Sequence, residues 1–435
     1  MRKSALFLCA RNYAVKQRQR IVTESQIVQA RGLFCDIIKE KSLKQSIILK
    51  YKLQQGYGNR EVKDMIELSS KQNCTGCSAC ANICPRGCIR MNADEEGFLY
   101  PVVNEEMCMD CGLCENVCPM LHKPQQHELL AVYGAKNDDD AVRFTSSSGG
   151  MFTLFAEEIL QQGGVVVGAA LDEQLNVQHV LVDSIADLPK LRGSKYVQSK
   201  IGKIYSEVRQ ILRAGRRVLF SGTPCQIAGL KRYLVKPSVN LFTVDVVCHG
   251  VPSPKVYRKH LQELAQEVGE PVVQVKFRDK AKGWKQGETL FFTEHRRFGA
   301  SKRQETYMRL FLNNISIRPS CGECAFNNKR SLADITIADY WGIDKQYPEF
   351  DDDKGVTLVL VNSAAGAELL AQVKDKAELL TTDFAKGAEY NVAVSKSLPL
   401  NPKRPFFFEH LDEYTLKEMV ERCLEDKEEK MKPLF

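Results

Sequence analysis

One cysteine pattern occurs twice, 34 residues apart. The first copy is Cys74-x2-Cys77-x2-Cys80-x3-Cys84-Pro85, and the second is Cys108-x2-Cys111-x2-Cys114-x3-Cys118-Pro119. This spacing holds cubane iron–sulfur clusters, and in such a pair the fourth cysteine of each run ligates the cluster of the other. The expected ligand groups are therefore Cys74, Cys77 and Cys80 with Cys118, and Cys108, Cys111 and Cys114 with Cys84. The two runs must fold across one another, and the groups they hold exchange single electrons. Small gap residues (Thr75, Gly76, Ser78, Ala79, Gly112) let backbone N–H groups approach the sulfurs, and hydrogen bonds there tune the potential. A zinc site is the competing reading, but eight cysteines in two identical runs, each closed by Cys-Pro, argue against it. A disulfide framework suits a short secreted chain, not one of 435 residues.

That length predicts about three domains. No apolar stretch approaches the 18 or so residues of a membrane span. Val165–Leu171 and Val356–Val361 read as buried strands. Cluster ligation needs reduced thiolates, which implies a reducing compartment, most simply the cytoplasm. The net charge of +7 is local: residues 1–64 carry 14 Lys/Arg against 5 Asp/Glu, and the remainder is close to neutral. The core therefore offers no case for nucleic-acid binding. The basic extension 1–64 resembles a targeting segment in composition, but Ala5 to Ala10 is too short for a secretory apolar region. A start called too early is the better reading, with Met65 opening the cluster domain, and Cys9 and Cys35 then have no role.

Residues 65–123 form the bacterial-ferredoxin-type unit, and Lys123 to Glu128 reads as a linker. From Leu130 strands alternate with helices: LLAVYGAK, VVVGAAL, RVLFSGTP and LFTVDVVCHG as strands; GGMFTLFAEEILQQGG, Ser206–Ala214, QIAGLKRYL and SPKVYRKHLQELAQEV as helices. Gly163-Gly164 is a helix stop. Such alternation predicts an α/β domain with a mainly parallel sheet. The fold class expected is thus α+β and α/β, a ferredoxin-like domain followed by an α/β domain. VVQVKF and TLFFTEH read as further strands, and residues 401–435 as a charged helical tail.

Eight of the 16 cysteines lie outside the paired runs. Cys88 and Cys423 stand alone, and isolated cysteines usually serve as small buried hydrophobes. Cys225 follows a strand in SGTPCQ, Cys248 ends a strand in VVCHG, and Cys321-Gly-Glu-Cys324 is a loop. Strand ends of a parallel sheet face a common crevice, so these four could close a third cluster; zinc, a redox dithiol or unrelated residues remain alternatives. Two turns, TSSSGG (145–150) and SGTP (221–224), lead into helices whose exposed N–H groups suit phosphate, though ordinary helix capping reads the same way. No GxGxxG occurs, so a standard nicotinamide site is not indicated.

The chain resembles the beta-subunit family of coenzyme F420-reducing hydrogenases and F420 dehydrogenases. The resemblance spans residues 70–350 and rests on the double cysteine run with RFTSSSGG, RGSKYVQS, LFSGTPCQIAGL, CHGVPSP, VKFRDKAKGW, RPSCGECAF and DITIADYWG. It implies an FAD-binding region at 130–210, a C-terminal region at 211–400, and FAD wired to two 4Fe-4S clusters. The flavin contacts implied are Thr145, Ser146, Ser147, Gly149, Gly150, Ser194, Lys195, Tyr196, Gln198, Ser199, Gly222, Thr223, Pro224 and Gln226. Cys225, Cys248, Cys321 and Cys324 match positions that supply a third 4Fe-4S cluster near the flavin.

The function expected is an iron–sulfur flavin oxidoreductase. Electrons would pass from a redox partner protein, such as ferredoxin, through the clusters to FAD and on to a small-molecule acceptor, or in reverse. His249 is a candidate proton donor. Lys276 and Asp279, with Arg278, Lys282 and Trp284, form a polar loop able to meet a charged acceptor or to be an ordinary surface hairpin. The competing readings are an electron-transfer subunit of a larger redox complex, as a homo- or hetero-oligomer, and a zinc-binding structural protein.

Overall fold

The computed structural model describes residues 66–123, 125–326 and 331–424. The basic extension with Cys9 and Cys35, the start at Met65 and the chain past Leu424 lie outside them.

The cysteine duplication folds as a structural duplication. A 3-10 turn leads into each run, Lys71–Asn73 before Cys74 and Glu105–Met107 before Cys108. Short helices, Ala79–Ile83 and Leu113–Asn116, carry the third cysteines. Two positions in each copy take left-handed backbone: Gly76 (φ 71°) and Ser78 (φ 63°), then Asp110 (φ 46°) and Gly112 (φ 67°). Such reversals turn backbone N–H groups toward a common centre. At Ser78 and Asp110 they cost roughly 1 kcal/mol each, so the turn geometry is imposed by the motif rather than by glycine alone. Antiparallel strands β1 (Ile89–Ala93) and β2 (Leu99–Val103) join the copies.

The larger part of the fold contains β3 (Ala131–Asn137), β4 (Val165–Leu171), β5 (Val177–Val182), β6 (Val218–Gly222), β7 (Leu241–Val246), β8 (Gln274–Asp279), β9 (Glu288–Phe292), β10 (Arg297–Ser301), β11 (Ile335–Asp339), β12 (Thr357–Val361) and β13 (Ala377–Thr382). Eight of these make one sheet in the order β13-β3-β12-β11-β7-β6-β4-β5. Its centre, β4-β6-β7-β11, is parallel, as the alternation predicted. Antiparallel β5 closes one end, and β12, β3 and β13 close the other. Strands β8, β9 and β10 form a separate antiparallel sheet.

Period-two patterning buries the two faces of the central strands under different helices. Val166 and Leu219 pack against the helices Met151–Gln161 and Ala364–Val373. Their neighbours Val165, Val167, Val218 and Phe220 pack against Ile204–Arg213 and Pro224–Leu234. Each fully buried valine or leucine contributes about 1.5–3 kcal/mol. Gly163, at φ 73°, ends the first of these helices at the expected place.

Segments far apart in the chain hold the cluster module to this body. Arg404 pairs with Glu96 through both guanidinium nitrogens, and the Ser253 hydroxyl donates to the Glu96 carbonyl. The Asn82 amide donates to the Gly202 carbonyl at 2.8 Å, and Arg232 donates to the Asn116 carbonyl. Breaking a buried ion pair like Arg404–Glu96 costs about 3–5 kcal/mol.

Candidate functional site

Cys84, Cys108, Cys111 and Cys114 line one small cavity. Cys88 lines it too, with its Sγ 3.2 Å from Cys84 Sγ. Cys88 is therefore not an isolated buried thiol: a turn after Pro85 returns it to the same cavity. Burial pushes the Cys84 thiol up, but hydrogen bonds from Cys88 and from the backbone of residues 86–88 outweigh this and the net shift is down. The Ile66 N–H donates to Cys114 Sγ at 3.2 Å.

The other run gathers on the body side. Burial raises the Cys77 and Cys80 thiols, and in both cases the charges of Cys74 and Cys118 push the same way. Cys77 also feels Cys225. That contact begins a third group. Cys248 is raised by burial and by Cys321, Cys225 and Cys324; Cys321 is pushed up to about 12 and Cys225 to about 11, chiefly by burial. Buried thiols that oppose one another's ionisation become stable thiolates when iron replaces their protons. Among the described residues no group of three or more His, Cys, Asp or Glu is placed to hold a metal ion.

The helix Pro224–Leu234 organises the junction. Its N-terminus carries Cys225, and one turn on Gly229 lies against Cys77, where an added Cβ would meet the Cys77 Sγ at 3.0 Å. Arg318 is wholly buried, and its charge favours the thiolate forms of Cys225 and Cys321. Its Nε donates to the Cys74 carbonyl at 2.8 Å, Nη2 to the Leu99 carbonyl at 3.0 Å, and Nη1 to Gln198 Oε1 at 3.1 Å. The guanidinium lies 4.1 Å over the Tyr100 ring.

Beyond Cys248 opens a cavity of about 320 Å³ at the C-terminal ends of β6, β7 and β11, within the ~300–1,000 Å³ of ordinary small-molecule sites. Of the expected cofactor contacts, Ser146, Ser147, Gly150, Ser194, Lys195, Tyr196, Ser199, Gly222, Thr223 and Gln226 line it. Four do not. Thr145 bonds its own helix, and Gly149 packs so tightly on β3 that a Cβ would stand 2.3 Å from the Ala135 carbonyl. Pro224 is buried at the helix start, and Gln198 turns away to bond the Thr75 carbonyl at 3.1 Å. Burial holds Lys195 down to about 7, while its Nζ donates to the Lys190 and Arg192 carbonyls.

His249 lines the cavity, with Nε2 2.6 Å from Asn314 Oδ1. Lys276 and Asp279 do not line it. A bulge in β8 between them turns Arg278 inward instead, where it meets Asp339 Oδ2 at 2.8 Å and Tyr196 Oη at 3.3 Å. His179 and Lys302 line it as well, and no motif marked either. His179 bonds Ser199 Oγ and the Ser221 carbonyl and is held down to about 4 by burial.

A second cavity of about 550 Å³ shares Lys302 and Trp341 with the first. Trp341 stacks on Trp284, centroids 4.6 Å apart, and Lys302 Nζ lies 4.4 Å over Trp341. Lys282, Lys285, Arg303 and Lys345 also line it, against Glu288 and Asp344. No described helix is long and apolar enough to cross a membrane.

Three family models match the chain. A 4Fe-4S dicluster domain covers residues 73–121. The coenzyme F420 hydrogenase/dehydrogenase beta subunit matches by its N-terminal part over 132–205 and its C-terminal part over 215–386. No curated protein matches. Among solved structures the chain is similar to one from a xenon-derivatised F420-reducing NiFe hydrogenase complex of Methanosarcina barkeri. The identity is 17% and the TM-score 0.42, over 69% of this chain and 94% of that one. On the family models, this chain belongs to the coenzyme F420 hydrogenase/dehydrogenase beta-subunit family and carries a 4Fe-4S dicluster domain.

Proposed function

We propose that the chain is a flavin-dependent iron–sulfur oxidoreductase, passing electrons between three cubane clusters and FAD held in the cavity beside Cys248, and on to or from an organic acceptor. The observation that carries this reading is Cys248. It is grouped with Cys225, Cys321 and Cys324 and also borders the cavity, while Cys225 is felt by Cys77 of the ferredoxin-type module. The thiol groups thus form a row that ends at a cofactor-sized space.

The lining fits a phosphate-bearing aromatic cofactor. The helices Met151–Gln161 and Pro224–Leu234 begin at this cavity, beside Ser146, Ser147 and Thr223, and their N-termini favour phosphate. Tyr196, Met308 and Phe311 supply apolar wall. A bound flavin would supply exchange between one-electron and two-electron chemistry. Arg278 and Lys302 place positive charge at the junction of the two cavities, and the basic rim of the second suits an anionic acceptor, of the F420 class or another.

Anaerobic purification of the full chain, with iron, sulfide and flavin assayed together, tests this. Near 12 irons and one FAD per chain support it, at four irons per cubane. About 8 irons with one FAD would remove the cluster at Cys225, Cys248, Cys321 and Cys324. Iron without flavin would leave an electron-transfer module.

A further inference from the structure

The duplicated runs share their cysteine spacing and their Cys-Pro close, but differ at the fourth residue past each closing cysteine. After Cys118 that residue is His122, exposed to solvent; after Cys84 it is Cys88, only 4% exposed. The difference arises from the chain path. The Gly87 N–H donates to the Cys84 carbonyl at 3.2 Å, closing a tight turn with Pro85 inside it and Gly87 at φ 63°. Cys88 is then pinned at the start of β1, its carbonyl accepting from the Asn104 N–H at 2.8 Å. Its sulfur returns to the cavity lined by Cys84, Cys108, Cys111 and Cys114.

We propose that Cys88 is a fifth ligand-competent thiol of this site, interchangeable with Cys84. A cubane presents four irons and takes one protein thiolate at each, so five thiols cannot all be bound. The two sulfurs stand 3.2 Å apart on the wall of one cavity, so either is within reach of the same ligand position. With Cys84 bound, Cys88 would donate its S–H to the Cys84 sulfur, one of the hydrogen bonds that set cluster potential. Exchange would move one proton and no electron: Cys88 would take the place of Cys84 on the iron and pass its proton to the departing sulfur. At the corresponding position after Cys118 stands His122, which is exposed.

The inference rests on the ligand sets proposed above, which the iron content of the unmutated chain reads separately. The test compares full-length Cys84→Ala, Cys88→Ala, the double variant and Cys118→Ala, by iron and sulfide content and by electron paramagnetic resonance of the reduced clusters. Cys84→Ala is expected to keep its iron with a shifted signal, while the double variant and Cys118→Ala each lose about four irons. Retention of the other clusters shows that any loss is local rather than a failure to fold. Cys88→Ala is expected to keep its iron with a lowered midpoint potential for that one cluster. Loss of four irons from Cys84→Ala alone, or an unshifted potential in Cys88→Ala, overturns the proposal.

Discussion

Gly229 lies against Cys77 so closely that a Cβ at position 229 would stand 2.9 Å from the cysteine's own Cβ. The helix bearing Cys225 can approach the ferredoxin-type module only because this side chain is missing. Gly229→Ala should therefore push the two thiol groups apart. Overpacking of this kind costs about 1–3 kcal/mol. Chemical denaturation should register that loss, and single-turnover reduction should show slower transfer past Cys77; unchanged transfer would mean the contact does not set the electron path.

Arg318 predicts a charge effect separable from a packing effect. Its three hydrogen bonds to Cys74, Leu99 and Gln198 should make Arg318→Gln less stable by about 3 kcal/mol or more, since each bond to a charged group is worth about 1.5–3 kcal/mol. Removing the buried cation should also lower the potential of the iron–sulfur cluster nearest Cys74 and of the proposed cluster at Cys225 and Cys321. Arg318→Lys should lose stability while keeping most of the potential. Redox titration of both variants decides: equal potentials in the two would sink the electrostatic role.

Lys302 joins the two cavities, so Lys302→Met should raise KM for an anionic acceptor about tenfold, or ~1.4 kcal/mol, with kcat little changed. Lys276→Ala should change neither, because the β8 bulge keeps Lys276 out of both cavities. Burial holds Lys302 down to about 8, with Arg278 helping and Asp339 opposing. The ammonium is present below about pH 8 and lost above it, so acceptor affinity should fall as pH rises through 8 in the parent and stay level in Lys302→Met.

His179 predicts an acid limb to stability. Its folded value of about 4 lies below its ordinary 6.5, so between these the unfolded state binds the extra proton. Stability is then full above about pH 6.5 and declines as pH falls toward 4, by up to ~3 kcal/mol at 1.36 kcal/mol per tenfold ratio. His179→Gln should flatten that limb in denaturant titrations at pH 7 and pH 5. An identical pH slope in both proteins would assign the acid sensitivity elsewhere.

What could be read from the residues follows physical lines. The spacing of the duplicated cysteines is the basis for the expected crossed pairing, and Cys84 lines one cavity with Cys108, Cys111 and Cys114. The runs VVVGAAL and LFTVDV, buried on both faces, announce central strands, and these are β4 and β7. The edge strand β13, AELLTT, is half polar, and β5, VQHVLV, lacks regular alternation, so their patterning hardly differs from loop. The bulge in β8 was invisible too: simple alternation puts Arg278 on the side of Lys276, and only the extra residue turns it inward. His179 in VQHV looks like the outward residue of an edge strand; its partners Ser199 and Ser221 come from distant segments.

The clamp around Glu96 bears on how electrons arrive. Arg404 and Ser253 reach it from points far downstream in the chain, and Arg318 reaches Leu99 beside it. A cluster carrier on a swinging tether could collect its load at one place and deliver it at another. Here the carrier is bolted down, so any external donor must come to it, and the distances over which electrons hop are set once, when the chain folds.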